Sequence, residues 1–257
     1  MAERFIFFAS AGFCIVIAFS LEKLLARFNI SVQSVLKHKV AAGALLLVAA
    51  ILIFMTISRN ADWADDYTLY EEDVKKSATD ARLYNYLGNE LFTNELQKEQ
   101  DPGAKKQIAT EAVNNLEKSL AIFPNYSLAH ANIANAFIFL QQYDSAEVHD
   151  KKAIALKPEE LAPYNTLAAV FFNKGRYADA LELCHKILAI KPNYSEIYGN
   201  MGTCYIFMKQ YDSSIVYFRK AIASGRSNAA VYENIARAFM ASGQVDSAQK
   251  YAAFIRH

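Results

Sequence analysis

The chain has 257 residues, a formal net charge of +1 and only three cysteines. The near-neutral balance excludes the global basic field of a nucleic-acid-binding protein, so no nucleic-acid partner is expected. Three cysteines are too few for a disulfide scaffold. The length allows one or two domains.

Two uncharged apolar stretches, residues 5–21 and 40–57, dominate the N-terminal part of the chain. Each lies at the short end of the length that crosses roughly 30 Å of hydrocarbon, and neither has a polar face. We therefore predict two transmembrane helices in a membrane anchor at residues 1–57. A buried core helix is the alternative for either stretch, and a cleaved signal peptide is a further alternative for the first.

The loops around these stretches predict their orientation. The connector, residues 22–39, has four Lys or Arg and one acid, whereas the junction, residues 58–80, has three Lys or Arg and seven acids. Because positive loops stay in the cytoplasm, the connector is expected there. Everything after the second stretch is then extracytoplasmic. We favour a bacterial periplasm, with the endoplasmic-reticulum lumen as the alternative.

Residues of the same type recur every 34 positions through the rest of the chain. The clearest series are Pro124, Pro158 and Pro192; Tyr143, Tyr177 and Tyr211; and Ala112, Ala146 and Ala180. This period, with these residue types, is that of the tetratricopeptide repeat (TPR), a pair of antiparallel helices. We predict an all-α fold in which about five helical hairpins stack into a superhelical solenoid over residues 81–257, with repeats starting at residues 81, 127, 161, 195 and 229.

The eighth position of each predicted repeat carries a small residue, because the two helices of a hairpin cross there. These residues are Gly88, Ala134, Ala168, Gly202 and Ala236. In the first repeat, 24 residues instead of the usual 12 separate Gly88 from its partner Ala112. An insertion is therefore predicted within residues 94–110, as longer helices and a loop.

The first helices of stacked hairpins line the concave face of such a solenoid, and polar residues recur on that face. Carboxamides both donate and accept hydrogen bonds, so a row of them can hold an extended polypeptide main chain. The predicted groove residues are Asn89, Asn132, Asn135, Thr166, Asn200 and Asn234, with Phe172 and Ile206 as apolar floor. The alternative is that these side chains only brace their own hairpins or face solvent.

No catalytic constellation, phosphate-binding loop or metal-binding motif occurs in the sequence. The chain is therefore not expected to be an enzyme on its own, and no cofactor or metal is predicted. Cys184 and Cys204 fall on neighbouring helices of consecutive repeats. A disulfide between them and two small buried core residues are both open readings.

Two short motifs near the membrane stretches carry a family resemblance. Residues 2–14 read AERFIFFASAGFC, and residues 59–63, RNADW, are followed by YTLY at residues 67–70. The first resembles A-E-R-x-L-Y-x-P-S-x-G-F-C of the transmembrane-and-tetratricopeptide-repeat protein O-mannosyltransferases, although Phe7 and Ala9 depart from it. The second resembles the junction that leads into the repeats of that family.

The resemblance implies that the chain corresponds to the C-terminal part of such a transferase, whose catalytic acids lie in upstream segments. Glu3 and Arg4 would then lie at the extracytoplasmic membrane edge, where Arg4 could contact a lipid phosphate; a simple Glu–Arg pair at the interface is the alternative. The expected function is a membrane-anchored module that binds polypeptides. The alternatives are the non-catalytic part of a glycosyltransferase, whose catalytic helices or subunit would be a further partner, and a periplasmic scaffold for envelope assembly.

Overall fold

The chain divides into two compact units, Met1–Ala64 and Asp65–His257. The computed structural model describes residues 23, 47, 48, 50, 51, 65–192, 194–225 and 228–254. The predicted stretch 5–21 lies outside the described residues, and only four residues of 40–57 are described, all helical. Within the described part of the chain, no helix is both long enough and apolar enough to cross a membrane. The membrane anchor therefore stays a prediction.

The second unit is a series of helices, and its described residues contain no strand. In chain order they are α1 (Asp66–Lys76), α2 (Ala81–Glu90), α3 (Leu96–Lys98), α4 (Pro102–Ile122), α5 (Ser127–Phe139), α6 (Tyr143–Leu156), α7 (Leu161–Asn173), α8 (Tyr177–Ile190), α9 (Glu196–Phe207), α10 (Tyr211–Ala223), α11 (Ala229–Ala241) and α12 (Val245–Ala253). Five hairpins are formed by α2 with α4, α5 with α6, α7 with α8, α9 with α10, and α11 with α12. The predicted all-α solenoid of helical hairpins is confirmed for this unit.

The first hairpin contains the unusual segment. A π-helical turn at Leu91–Glu95 extends α2, and the short α3 follows it. Asp101 then caps the long α4, because its carboxylate accepts a hydrogen bond from the main-chain N–H of Ala104 at 2.7 Å and Pro102 occupies the first turn. Both features are typical of a helix start. The second helix of this hairpin therefore begins inside the predicted insertion.

The two helices of a hairpin approach closely at the small residues. A β-carbon added at Gly88 would lie 2.7 Å from Cγ of Leu116, and one added at Gly202 would lie 2.9 Å from Cζ of Phe218. Both distances are shorter than carbon atoms tolerate. The absence of a side chain at these positions therefore allows the large buried residue of the second helix to fill the space.

Successive hairpins are joined at the proline turns. The ring Nε2 of His130 lies 3.0 Å from the carbonyl oxygen of Pro124, and the hydroxyl of Tyr164 donates to the carbonyl of Pro158 at 3.1 Å. In both cases the donor lies six residues after the proline and satisfies a turn carbonyl that no helix uses. The 34-residue spacing from Pro124 to Pro158 and that from His130 to Tyr164 therefore have a common structural cause.

In the second to fifth hairpins, the turn between the two helices contains one residue in the left-handed conformation. Gly175 and Gly243 have φ angles of 75° and 79°, and the equivalent Gln141 and Lys209 have φ of 59°. A β-carbon makes this conformation costly, by about 1–2 kcal/mol. Two of the four turns therefore contain backbone strain that glycine would remove.

We expect Gly202→Ala to lower the free energy of unfolding by about 1–3 kcal/mol, because the new methyl group meets the buried ring of Phe218. Gly199 on the same helix is the matched control, since a β-carbon there meets no atom within 4 Å. Gly199→Ala is expected to raise the free energy of unfolding by about 0.5–1 kcal/mol. Urea denaturation followed by circular dichroism measures both, and equal changes in the two variants would contradict the crossing geometry.

We expect Gln141→Gly and Lys209→Gly each to raise the free energy of unfolding by about 0.5–1 kcal/mol. Glycine relieves the backbone strain, but part of this gain is lost because glycine also has a greater conformational entropy in the unfolded chain. Gln142, with φ of −90°, is the control. Gln142→Gly gains no relief and is expected to be neutral or destabilising. Thermal denaturation compares the three variants with the unmodified protein. A lower midpoint for Gln141→Gly and Lys209→Gly than for the unmodified protein would contradict backbone strain at these two positions.

Candidate functional site

A pocket of about 190 Å³ opens between α7 and α9, the first helices of the third and fourth hairpins. Its exposed and half-buried lining residues include Asn165, Asn173, Asn200 and Thr203, together with Ala169 and Phe172. Its buried lining residues are Ala168, Ala180, Cys184 and Cys204. We call this site the amide pocket. It combines apolar walls with carboxamides at the mouth, as small binding sites usually do.

Two of the predicted groove residues, Asn200 and Phe172, line the amide pocket. Asn200 is exposed, and its carboxamide has no hydrogen-bond partner among the described residues. Phe172 is half-buried and makes edge contacts with the rings of Tyr177 and Phe207, at centroid distances of 5.3 and 5.0 Å. One wall of the pocket is therefore rigid and aromatic, whereas the amide at its mouth is available to a ligand.

The sequence prediction missed Asn165, Asn173 and Thr203. Asn165 and Asn173 lie on the same helix as Phe172, at the fifth and thirteenth repeat positions, which the prediction did not consider. Thr203 occupies the ninth position of its repeat, the same position as the predicted Asn89 and Asn135. A search of that position for any polar residue would have found Thr203.

Other predicted groove residues pair within the protein. Asn132 donates its amide to the carboxamide oxygen of the buried Asn85 at 3.0 Å, which links the first two hairpins. Asn135 donates to the main-chain carbonyl of Ala131 at 3.2 Å. The side-chain amide of each residue thus donates a hydrogen bond inside the protein, and neither residue lines the amide pocket.

The remaining predicted residues are dispersed. Asn89 and Asn234 are half-buried, and Ile206 packs against the apolar cluster that α10 forms with the fifth hairpin. Glu3 and Arg4, the predicted lipid-phosphate contacts, lie outside the described residues. Their proposed roles stay predictions.

Cys184 and Cys204 are free thiols, both buried beneath the amide pocket. Burial raises the pKa of Cys184 to about 12 and that of Cys204 to about 11. Both side chains are therefore protonated and weakly reactive at neutral pH. The described residues contain no group of three or more His, Cys, Asp or Glu that could hold a metal ion.

Thr166, another predicted groove residue, contacts a buried carboxyl group. Its hydroxyl oxygen lies 2.9 Å from Oδ1 of Asp150 and 2.9 Å from the carbonyl of Ala162. Asp150 is fully buried, and its Oδ2 has no partner among the described residues. Burial raises the pKa of Asp150 to about 8 despite the hydrogen bond with Thr166.

The carbonyl oxygen of Pro163 also lies 3.2 Å from this hydroxyl. The single proton of Thr166 therefore cannot be donated both to a main-chain carbonyl and to an ionised Asp150. A protonated Asp150 removes the shortage, because its own proton is donated to Thr166 while the hydroxyl donates to Ala162. The helices that pack against α6 carry only His130 on α5 and Tyr164 on α7 as ionisable groups. No cation on either helix offsets a charge on Asp150, so the neutral acid is the stable form.

This buried acid predicts a pH dependence of stability. The contribution of the protonated Asp150 to the free energy of unfolding is fully present below the unfolded pKa of 3.8. It decreases as the pH rises, because the unfolded carboxyl group ionises first, and it is lost at about pH 8, where the native group ionises as well. We expect Asp150→Asn, which keeps a donor towards Thr166, to raise the free energy of unfolding at pH 8.5 by more than about 1.4 kcal/mol. At pH 4 the gain should vanish. Urea denaturation from pH 4 to pH 9 measures the free energy of unfolding of the unmodified protein and of Asp150→Asn. If the two free energies change with pH in the same way, Asp150 is not protonated in the folded protein.

The comparisons with known proteins agree with this geometry. The family model of the tetratricopeptide repeat matches residues 159–227, which include the amide pocket. Among solved structures, MamA superimposes with a TM-score of 0.54 at 22% identity, over 61% of this chain and 94% of that one. YrrB, described as a TPR protein with an unusual peptide-binding site, superimposes with a TM-score of 0.56 at 15% identity, over 72% and 90%. These likenesses establish the fold.

The curated relatives are named as protein O-mannosyl-transferases. Protein O-mannosyl-transferase Tmtc3 of Drosophila melanogaster is 31% identical over 156 residues, which are 61% of this chain and 15% of the relative. Protein O-mannosyl-transferase TMTC3 of Mus musculus is 30% identical over 154 residues, 57% of this chain and 14% of the relative. The match thus spans about one seventh of the length of these relatives. Residues 159–227 thus match the tetratricopeptide-repeat family, and the sequence of the chain is similar to that of the Tmtc3 protein O-mannosyl-transferases.

Proposed function

We propose that this chain is a protein-interaction module that holds a segment of polypeptide across the amide pocket. The observation that carries the proposal is the free carboxamide of Asn200, at the mouth of a pocket that Asn165 and Asn173 also line. A carboxamide offers one donor group and one acceptor, the complement of a peptide group. Free amides beside apolar walls suit a polypeptide better than they suit a charged metabolite.

The structural neighbours support the same class of ligand. YrrB, which shares the fold, is described as having a peptide-binding site. Stacked hairpins generally use the face lined by their first helices to bind extended ligands. The amide pocket lies between two such helices, α7 and α9.

We further propose that the module is held at a membrane by residues 5–21 and 40–57 and faces the extracytoplasmic side. The support is the apolarity of the two stretches and the excess of positive charge in the connector between them. Arg4, with Glu3, would lie at the membrane edge on the same side and could contact a lipid phosphate there.

The similarity to Tmtc3 favours a role in protein O-mannosylation. In this proposal the amide pocket recruits acceptor polypeptides, and catalysis belongs to segments or subunits that carry the acidic residues of the transferase. A scaffold for the assembly of an envelope complex is the competing function, and the experiment below distinguishes the two.

A photoreactive amino acid in place of Asn200, in the full chain in its membrane, tests the proposal. We expect crosslinks to many secreted or membrane polypeptides, and none from the control position Val216, which is exposed on α10 and does not line the amide pocket. Mass spectrometry identifies the products. A single stoichiometric subunit would favour the scaffold, and equal labelling from both positions would overturn polypeptide binding at this pocket.

A further inference from the structure

The amide pocket is lined entirely by uncharged side chains. Its lining residues are alanine, asparagine, cysteine, phenylalanine and threonine, with no Asp, Glu, Lys, Arg or His. A carboxylate, phosphate or ammonium group placed there would lose its hydration without gaining an opposite charge. The pocket therefore disfavours an acidic or basic anchor and also a chain-terminal carboxylate.

The size and floor of the pocket suit one apolar side chain. Its volume of about 190 Å³ exceeds the roughly 150 Å³ of a cavity known to hold benzene in another protein. The buried floor contributes the two thiols of Cys184 and Cys204 and the methyl group of Ala168. Thiols that stay protonated behave as small polarisable apolar groups, which favour contacts with aromatic rings and thioethers.

The carboxamides at the mouth are not equivalent. Asn165 donates its amide to the carbonyl of Leu161 at 3.3 Å, and Asn173 donates to the carbonyl of Ala169 at 2.8 Å. One N–H group of each side chain is thus paired within its own helix, whereas the two carboxamide oxygens have no partner among the described residues. In Asn200 both the N–H groups and the oxygen of the carboxamide have no partner among the described residues. The mouth is consequently richer in acceptors than in donors, and it is best matched by main-chain N–H groups.

From this arrangement we propose that the amide pocket selects its polypeptide by one uncharged side chain of leucine, methionine or phenylalanine size, whose neighbouring main-chain N–H groups donate to Asn165, Asn173 and Asn200. The inference rests on the proposed polypeptide binding and adds the chemistry of the segment that is bound. It distinguishes this pocket from one that reads the charge of its ligand.

The position of Ala169 allows the pocket to be filled without a change in the core. Ala169 is exposed and lines the pocket, so Ala169→Phe places a ring where the ligand side chain would lie. Ala178 on α8 is also exposed and does not line the pocket, so Ala178→Phe is the matched control. Asn200→Ala is the third variant and removes one of the three proposed main-chain partners while the apolar part of the pocket stays. Circular dichroism verifies that all three variants fold.

The experiment selects dodecapeptides from a phage-displayed random library on the full chain and measures the enriched sequences as capped synthetic peptides. We expect them to share one leucine, methionine or phenylalanine, whose replacement by alanine weakens binding about tenfold or more. Ala169→Phe should cause a similar loss, and Ala178→Phe none. Raising the salt concentration from 50 to 500 mM should leave binding nearly unchanged, because no ion pair is formed.

The outcomes separate this inference from the function on which it rests. If peptides bind but share an acidic or basic residue, or if Ala169→Phe and Ala178→Phe bind them equally, the apolar anchor is wrong and polypeptide binding stands. If no peptide binds and the crosslinker at Asn200 captures no polypeptide, the proposed function falls and the inference falls with it.

Discussion

The close crossing of the two helices in each hairpin is the constraint on which the rest of the structure depends. Gly88 and Gly202 have no side chain where a buried Leu116 or Phe218 fills the space, and an added β-carbon would lie within 3 Å of those residues. With the crossing fixed, the face of each first helix that points away from its partner is also fixed. The positions that can reach a ligand are therefore set by the same contact that holds the hairpin together.

Variation on this repeated frame gives each interface between hairpins its own chemistry. Leu116, Asp150, Cys184 and Phe218 occupy one equivalent position in the first four repeats, and all are buried. The leucine and the phenylalanine fill their sites, the protonated aspartic acid forms a hydrogen bond with Thr166, and the smaller cysteine lies beneath the amide pocket. A single position thus produces a filled core, a proton-dependent contact or an open pocket, according to the volume and polarity of its residue.

The carboxamides illustrate how stability and binding compete for the same groups. Asn132, Thr166 and Asn200 occupy the same position in three successive repeats. Asn132 joins the first two hairpins through Asn85, and Thr166 joins the second and third through Asp150. The carboxamide of Asn200 has no such partner among the described residues. Buried polar groups must be paired, but exposed ones need not be. A carboxamide accordingly stays unpaired where the interface between hairpins does not need it, as at Asn200 between the third and fourth hairpins.

The sequence by itself determined the type of helical hairpin, since the 34-residue recurrence of proline, tyrosine and small residues reflects contacts that every repeat makes with its neighbours. It also indicated the positions on the first helices from which Asn200 and Phe172 reach a pocket. Only the tertiary structure decided which polar residues are free, because the pairing of Asn132 with Asn85 joins residues 47 positions apart and that of Thr166 with Asp150 joins two hairpins. It likewise decided the depth of the amide pocket, because the space between α7 and α9 depends on the combined volumes of residues from three helices and not on the identity of any one of them.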